Sequence, residues 1–136
     1  MKATVISTPS KEIKYLSYCR EGSLHDYQLL KSVFNPDENW FKGFTIKVDL
    51  GYVGIAKEFL CKQIAIPHKK TKTKTLTEGQ KDENRQMASE RIKVEHSIGG
   101  LKRYRILSDR LRTHLIDLYD DALGVCAGLW NFYLTN

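Results

Sequence analysis

Arg91-Ile92-Lys93-Val94-Glu95-His96-Ser97-Ile98-Gly99-Gly100-Leu101-Lys102 is the stretch on which the reading of this chain turns. It closes a longer run of helical composition, from Thr77 to about Lys102, whose apolar positions include Met87, Ala88, Ile92, Ile98 and Leu101. Thr77 and Gln80 stand at capping-box spacing at the start of that run. At 100° per residue, Arg91, Glu95 and Lys102 fall within about 40° of one another, so one face displays a carboxylate flanked by two cations. Such a face is either a solvated stripe of ion pairs or one wall of a site. His96, the next residue after Glu95, points about 100° away and reads as a side chain that packs or bonds locally. Gly99-Gly100 weakens the last turn.

Upstream, Phe44-Thr45-Ile46-Lys47-Val48-Asp49-Leu50 has strand composition and closes on an acid, with Gly51-Tyr52-Val53-Gly54 directly behind it. Acids at the C-terminal tips of strands sit where open α/β sheets bind ligands. Asp49 is thus a second carboxylate that a compact domain can bring opposite Glu95. Mg²⁺ is bound through one or two carboxylates together with substrate phosphate oxygens, and a pair of such ions suits phosphodiester cleavage. No phosphate-binding glycine loop and no nucleophile elbow occurs in the sequence.

Around these two segments the remaining elements follow from local pattern. Ala3–Ser7 and Ile13–Cys19 are rich in β-branched and aromatic residues and are separated by Thr8-Pro9-Ser10-Lys11, which predicts an antiparallel hairpin. Ser23, with Asp26 three residues on, predicts the start of a helix over about Leu24–Phe34, ending near Asn35-Pro36. A short helix over Ala56–Leu60 and a buried strand over Gln63–Pro67 come next. His68-Lys69-Lys70-Thr71-Lys72-Thr73-Lys74 has no apolar residue and reads as a mobile cationic loop. The segment from Arg112 to Leu134 is densely apolar and predicts a helix buried on most of its circumference. The order predicts one α/β domain over residues 1–136, with a mixed sheet flanked by helices.

Composition sets the class. The 136 residues are 41% hydrophobic and 28% charged, as in an ordinary soluble globular domain. No apolar run is long enough to span a bilayer and no signal peptide is recognisable, so the expectation is a cytoplasmic protein without a membrane partner. Cys19, Cys61 and Cys126 have no paired short spacing and read as small hydrophobes, not as a disulfide framework or a zinc site. The net charge of +6 is uneven: residues 62–112 carry 14 basic and 6 acidic side chains, a surplus of +8. Clustered Lys and Arg favour a polyanionic partner through counterion release. Trp130 lies in the most apolar segment and reads as core, while Trp40 is open to stacking.

Taken together, these residues resemble the DDE transposases of bacterial insertion sequences. Arg91, three residues, Glu95, six residues and Lys102, followed by Arg103-Tyr104-Arg105-Ile106-Leu107, keep both spacings of that family's C-terminal signature. Val48-Asp49-Leu50-Gly51-Tyr52-Val53-Gly54 is similar to the strand bearing its second Asp. Gly22-Ser23-Leu24-His25-Asp26 is similar to the Gly-Ser-x-His-Asp box ahead of its first helix. The boxes occur in family order between residues 22 and 107. Ala88 departs from the pattern, which often has Tyr three residues before the Arg.

The resemblance implies an RNase H-like fold that cuts and joins DNA with Mg²⁺ or Mn²⁺ held by Asp, Asp and Glu. By position Asp49 is the second metal-binding Asp and Glu95 the Glu. Arg91 and Lys102 orient Glu95 or hold DNA, and Lys69, Lys70, Lys72, Lys74, Arg103 and Arg105 meet DNA phosphates. The family's first Asp has no match, since the only Asp residues before Asp49 are Asp26, inside its box, and Asp37, in a turn. The expectation is a truncated catalytic domain lacking the first strand and inactive by itself. The alternative is a noncatalytic DNA-binding or regulatory remnant acting on a full-length transposase, and a separate N-terminal polypeptide carrying the first Asp is a further possible partner.

Overall fold

Ten elements follow one another along the computed structural model, which describes residues 1–109 and 115–136. They are β1 (Val5–Ser7), β2 (Ile13–Leu16), α1 (Asp26–Val33), β3 (Thr45–Lys47), a single 3-10 turn (Leu50–Tyr52), α2 (Ile55–Glu58), β4 (Gln63–Ala65), α3 (Glu78–Lys102), α4 (Arg105–Ser108) and α5 (Ile116–Thr135). The α/β class and the order of the main elements agree with the sequence pattern; α4 is an addition to it. Arg112, where the last helix was expected to begin, lies outside the described residues. The chain divides into two compact units, residues 1–22 with 90–136 and residues 23–89, and the division falls within α3 between Ser89 and Glu90.

In the first unit β1 and β2 form the expected antiparallel hairpin, pairing Val5 with Leu16 and Ile6 with Tyr15, with an irregularity between Ile6 and Ser7. Its turn is closed by the Lys11 N–H donating to the Thr8 carbonyl at 2.9 Å. Lys11 has φ 72°, an uncommon conformation for a residue with a side chain. Two donors fix it there, because the Lys11 carbonyl accepts from Ser97 Oγ at 2.8 Å and from Trp130 Nε1 at 2.9 Å. Polar side chains of α5 complete the backbone bonding of β2 and its exit: Asn131 accepts from the Ile13 N–H and donates to the Ile13 carbonyl, both at 2.8 Å, and Asp120 accepts from the Cys19 N–H at 2.8 Å. An exposed row of unpaired backbone groups on a strand edge is a liability, and these contacts remove part of it.

Behind that edge Ile13, Cys19, Leu101, Leu123, Cys126, Ala127 and Trp130 form the core. Cys19 and Cys126 are buried, as expected of small hydrophobes, and Cys61 is half-buried. Burial, followed by the neighbouring Asp120 carboxylate, pushes the Cys19 thiol from its ordinary 9.0 up to about 12. It stays protonated and unreactive at neutral pH. The expectation that α5 is buried on most of its circumference is corrected: Leu123, Cys126, Ala127 and Trp130 line one buried face, whereas Leu118, Val125, Leu129 and Phe132 are exposed. Its high apolar content comes from two stripes, of which this unit covers one.

The second unit holds β3 and β4 as a parallel pair, with Ile46 opposite Ile64. The described strands thus make two separate pairs, one antiparallel and one parallel. The core of this unit joins Leu29, Leu30 and Ile55 to three aromatic rings. Phe34, Phe41 and Phe59 are buried in sequence, with centroid distances of 5.1 Å for Phe34–Phe41 and 5.5 Å for Phe41–Phe59. Trp40 lies edge-on to Phe34 at 5.5 Å while remaining exposed.

The expected cap of α1 is also corrected. The helix begins at Asp26, too late for Ser23 to cap it, and His25 takes the role, its Nδ1 accepting from the Tyr27 N–H at 3.3 Å. Asp26 then falls in the first turn, where the helix dipole favours an acid.

Candidate active site and nucleic-acid interface

Asp49 stands where the strand pattern placed it. Pairing of the parallel strands continues one residue past β3, with the Val48 N–H donating to the Ala65 carbonyl at 3.0 Å. The chain then turns sharply. Asp49 caps the 3-10 turn, its Oδ1 accepting from the Leu50 N–H at 2.6 Å and its carbonyl from the Tyr52 N–H at 3.0 Å. Its carboxylate is therefore exposed at the C-terminal end of the parallel pair, oriented by the backbone of the turn that follows.

That turn packs on the start of α1. Tyr27 and Tyr52 meet edge to face at 6.5 Å. A Cβ on Gly54 would fall 2.6 Å from Tyr27 Cε1, closer than such contacts occur, so only glycine fits against the ring. The Tyr27 hydroxyl donates to Glu58 on α2, and the Lys31 ammonium lies over the Tyr27 ring at 4.9 Å and 3.4 Å from Glu58. Glu58 is held below its ordinary range, chiefly by the Tyr27 bond. Burial, followed by the charges of Asp26 and Asp49, pushes the Tyr52 phenol up. Tyr27, directly behind the Gly-Ser-x-His-Asp box, thus packs the start of α1 against the Tyr52–Gly54 part of the Asp49 box within one unit. Sequence reasoning missed Tyr27 and Glu58. The available signal was Tyr27 directly behind the box, with Lys31 one helical turn later on the same face.

Glu95 belongs to the other unit. Ser97 is fully buried, and Leu101 and Gly100 are buried beside it on the same side of α3. A Cβ on Gly100 would fall 2.3 Å from Trp130 Cε3. Arg91, Glu95 and Lys102 sit roughly 140° round the helix from Ser97 and are all exposed. Arg91 Nε lies 3.3 Å from Glu95 Oε1, so the expected cation and carboxylate are brought together.

The other candidate residues divide by surroundings. The Arg103 guanidinium is stacked over Trp130 at 5.6 Å and Tyr133 at 5.2 Å. Arg105 pairs with Asp109 at 3.4 Å. Lys69, Lys70, Lys72 and Lys74 are exposed on the segment between β4 and α3. His68, at the head of that segment, is fixed to α3: its N–H donates to Asn84 Oδ1 at 2.8 Å, its carbonyl accepts from Asn84 Nδ2 at 3.0 Å, and its Nε2 lies 2.5 Å from Glu83 Oε2.

Comparison with known proteins gives this arrangement its context. The family model of the DDE superfamily endonucleases matches residues 1–131. The chain belongs to the DDE superfamily endonucleases. It is 33% identical over 114 residues to a protein of Microchaete diplosiphon described as a "probable transposase for insertion sequence element IS702". That match covers 84% of this chain and 39% of the relative, so the chain spans well under half the relative's length. No solved structure matches it. Asp49 and Glu95, each in its own unit, carry exposed carboxylates, the donor type that a hard divalent cation takes. Among the described residues no three His, Cys, Asp or Glu side chains gather into a metal site. No helix of the described residues is long and apolar enough to cross a membrane.

Proposed function

We propose that residues 1–136 are part of the catalytic domain of an insertion-sequence transposase, of RNase H-like fold, acting on DNA with Mg²⁺ or Mn²⁺. The observation that carries this reading is the placement of Asp49, an oriented and exposed acid at the C-terminal end of a parallel strand pair, in a chain whose α3 turns Arg91, Glu95 and Lys102 outward on one face. In this reading Asp49 and Glu95 are two of three metal-binding carboxylates, and the third comes from outside these residues. Bound there, the divalent ion supplies activation of the attacking oxygen and stabilisation of the leaving 3′ oxygen. Arg91 orients Glu95 through their ion pair, and Lys102 beside it contacts the DNA backbone. Lys69, Lys70, Lys72, Lys74, Arg103 and Arg105 supply further phosphate contacts.

The chain alone is proposed to bind DNA without cutting it, because two carboxylates of three hold the ions poorly. One observation favours a second reading, a noncatalytic DNA-binding remnant acting on a full-length transposase: Glu95 is already engaged by Arg91, as in an ordinary surface ion pair. The two separate in one experiment. Plasmid nicking is measured with the chain mixed with a polypeptide carrying the first Asp strand. The catalytic reading expects divalent-metal-dependent nicking that is lost in Glu95→Gln. The remnant reading expects salt-dependent DNA binding unaffected by Glu95→Gln or chelator, and no nicking in any mixture.

A further inference from the structure

The His68–Lys74 segment, expected to be a mobile loop on composition, carries bonds that a mobile loop does not need. At its head the Asn84 side chain pairs with both the N–H and the carbonyl of His68, the pattern a neighbouring strand would offer, while Glu83 bonds the His68 ring. At its foot Thr77 and Gln80 form the reciprocal capping box, with the Gln80 N–H donating to Thr77 Oγ1 at 3.2 Å and the Thr77 N–H to Gln80 Oε1 at 3.1 Å. Between them the Thr71 N–H donates to the Lys74 carbonyl at 3.2 Å and the Lys74 N–H to Thr71 Oγ1 at 3.1 Å, leaving Lys72 and Thr73 at the tip. Acids on the first turns of α3 are engaged elsewhere: Glu78 with Lys81 at 2.7 Å, Asp82 with Arg85 at 2.6 Å and Glu83 with His68. Asparagine is among the poorer helix formers, and its place inside α3 is explained by the His68 bonds. The result is a short arc of four exposed ammonium groups tethered at both ends.

We propose that Asn84 is a positioning residue for nucleic-acid binding: by clamping the His68 backbone it presents Lys69, Lys70, Lys72 and Lys74 as a preformed grip for a phosphate backbone. The proposal rests on the reading of this loop as part of the DNA interface. Its physical basis is that a restrained loop loses less freedom on binding than a free one, so the same charges bind more tightly. Because the grip addresses phosphates and not base edges, it is indifferent to sequence.

The test is fluorescence anisotropy of the full chain with a labelled random-sequence DNA duplex, repeated across salt concentrations. Asn84→Ala changes no charge and exposes no core, so a bystander residue leaves both the affinity and the salt dependence unmoved. The clamp predicts about tenfold weaker binding from the loss of two hydrogen bonds that restrain the loop. It also predicts a shallower salt dependence, moving toward that of the variant with all four lysines replaced by alanine, which loses a slope of roughly 3.6 at about 0.9 per phosphate. Asn84→Gln, which keeps donor and acceptor, recovers part of the affinity. Hydrogen exchange at the His68 amide, protected in the wild type, accelerates in Asn84→Ala by more than at the amides of β3 and β4. Wild-type affinity and slope in Asn84→Ala, with the four-lysine variant weakened, overturn the clamp while sparing the DNA interface. Unchanged binding in the four-lysine variant overturns the interface itself and the clamp with it.

Discussion

Replacing Gly100 by alanine reverses the sign usually expected of such a change. In a helix interior Gly→Ala stabilises by about 1 kcal/mol, and Gly99 meets that rule, since nothing lies within 4 Å of where its Cβ would stand. At Gly100 the new methyl would lie 2.3 to 2.6 Å from three atoms of the Trp130 ring. That ring cannot swing aside cheaply, because its Nε1 is bonded to the Lys11 carbonyl at 2.9 Å and it is buried in the core. Overpacking of this kind costs about 1–3 kcal/mol, and a rigid aromatic face puts the cost at the upper end. After subtracting the helix gain, Gly100→Ala should destabilise by about 2 kcal/mol and lower the thermal midpoint by roughly 6 °C. Gly99→Ala should raise it by a few degrees. The assay is thermal and urea unfolding of both variants followed by circular dichroism. Equal or greater stability of Gly100→Ala would refute the packing of α3 against α5 through this glycine.

Other outcomes follow from the same contacts. Asn131→Ala removes both bonds to the Ile13 backbone and should destabilise by about 1–3 kcal/mol; urea unfolding checks it, and a neutral result contradicts the role of α5 on the β2 edge. The Cys19 thiol keeps its proton up to about 12 in the folded state, against an ordinary 9.0. Its contribution is therefore complete below pH 9 and is lost as pH rises toward the folded value. The thermal midpoint should fall in that alkaline window and fall less steeply in Cys19→Ala, whereas parallel profiles contradict it. Tyr27→Phe should let the Glu58 carboxyl rise toward its ordinary value, as read by NMR titration, with the fold retained. An unmoved Glu58 titration contradicts the Tyr27–Glu58 bond.

Local pattern carried the elements with strong signals and missed what packing decides. The Thr8–Lys11 turn, the Thr77/Gln80 capping box and the long helix through Glu95 were legible because each is specified within a few residues. His25 displaced Ser23 as the cap of α1 because a helix start depends on where the following residues pack, and here Tyr27 is held by Gly54, Tyr52 and Glu58. The Gly99-Gly100 pair looked like a uniform weakness in the helix. Only the Trp130 ring distinguishes the two, and its approach comes from 30 residues away in sequence. Periodicity could say that α5 is apolar, but not which stripe would be covered. For the site, spacing alone put Arg91, Glu95 and Lys102 on one face, and strand pattern put Asp49 at a strand end. The tethering of the cationic loop was invisible because Asn84 and Glu83 reach it across 15 or 16 residues.

The central claim is that Asp49 and Glu95 are working carboxylates of a DNA-cutting site completed by residues beyond these 136. It is tested most directly in a chimera in which this chain replaces its counterpart in the IS702 relative, assayed for Mg²⁺- or Mn²⁺-dependent nicking of plasmid DNA. The claim predicts nicking that is abolished by Asp49→Asn and by Glu95→Gln, with DNA binding retained in both variants. Nicking that survives either substitution would contradict it.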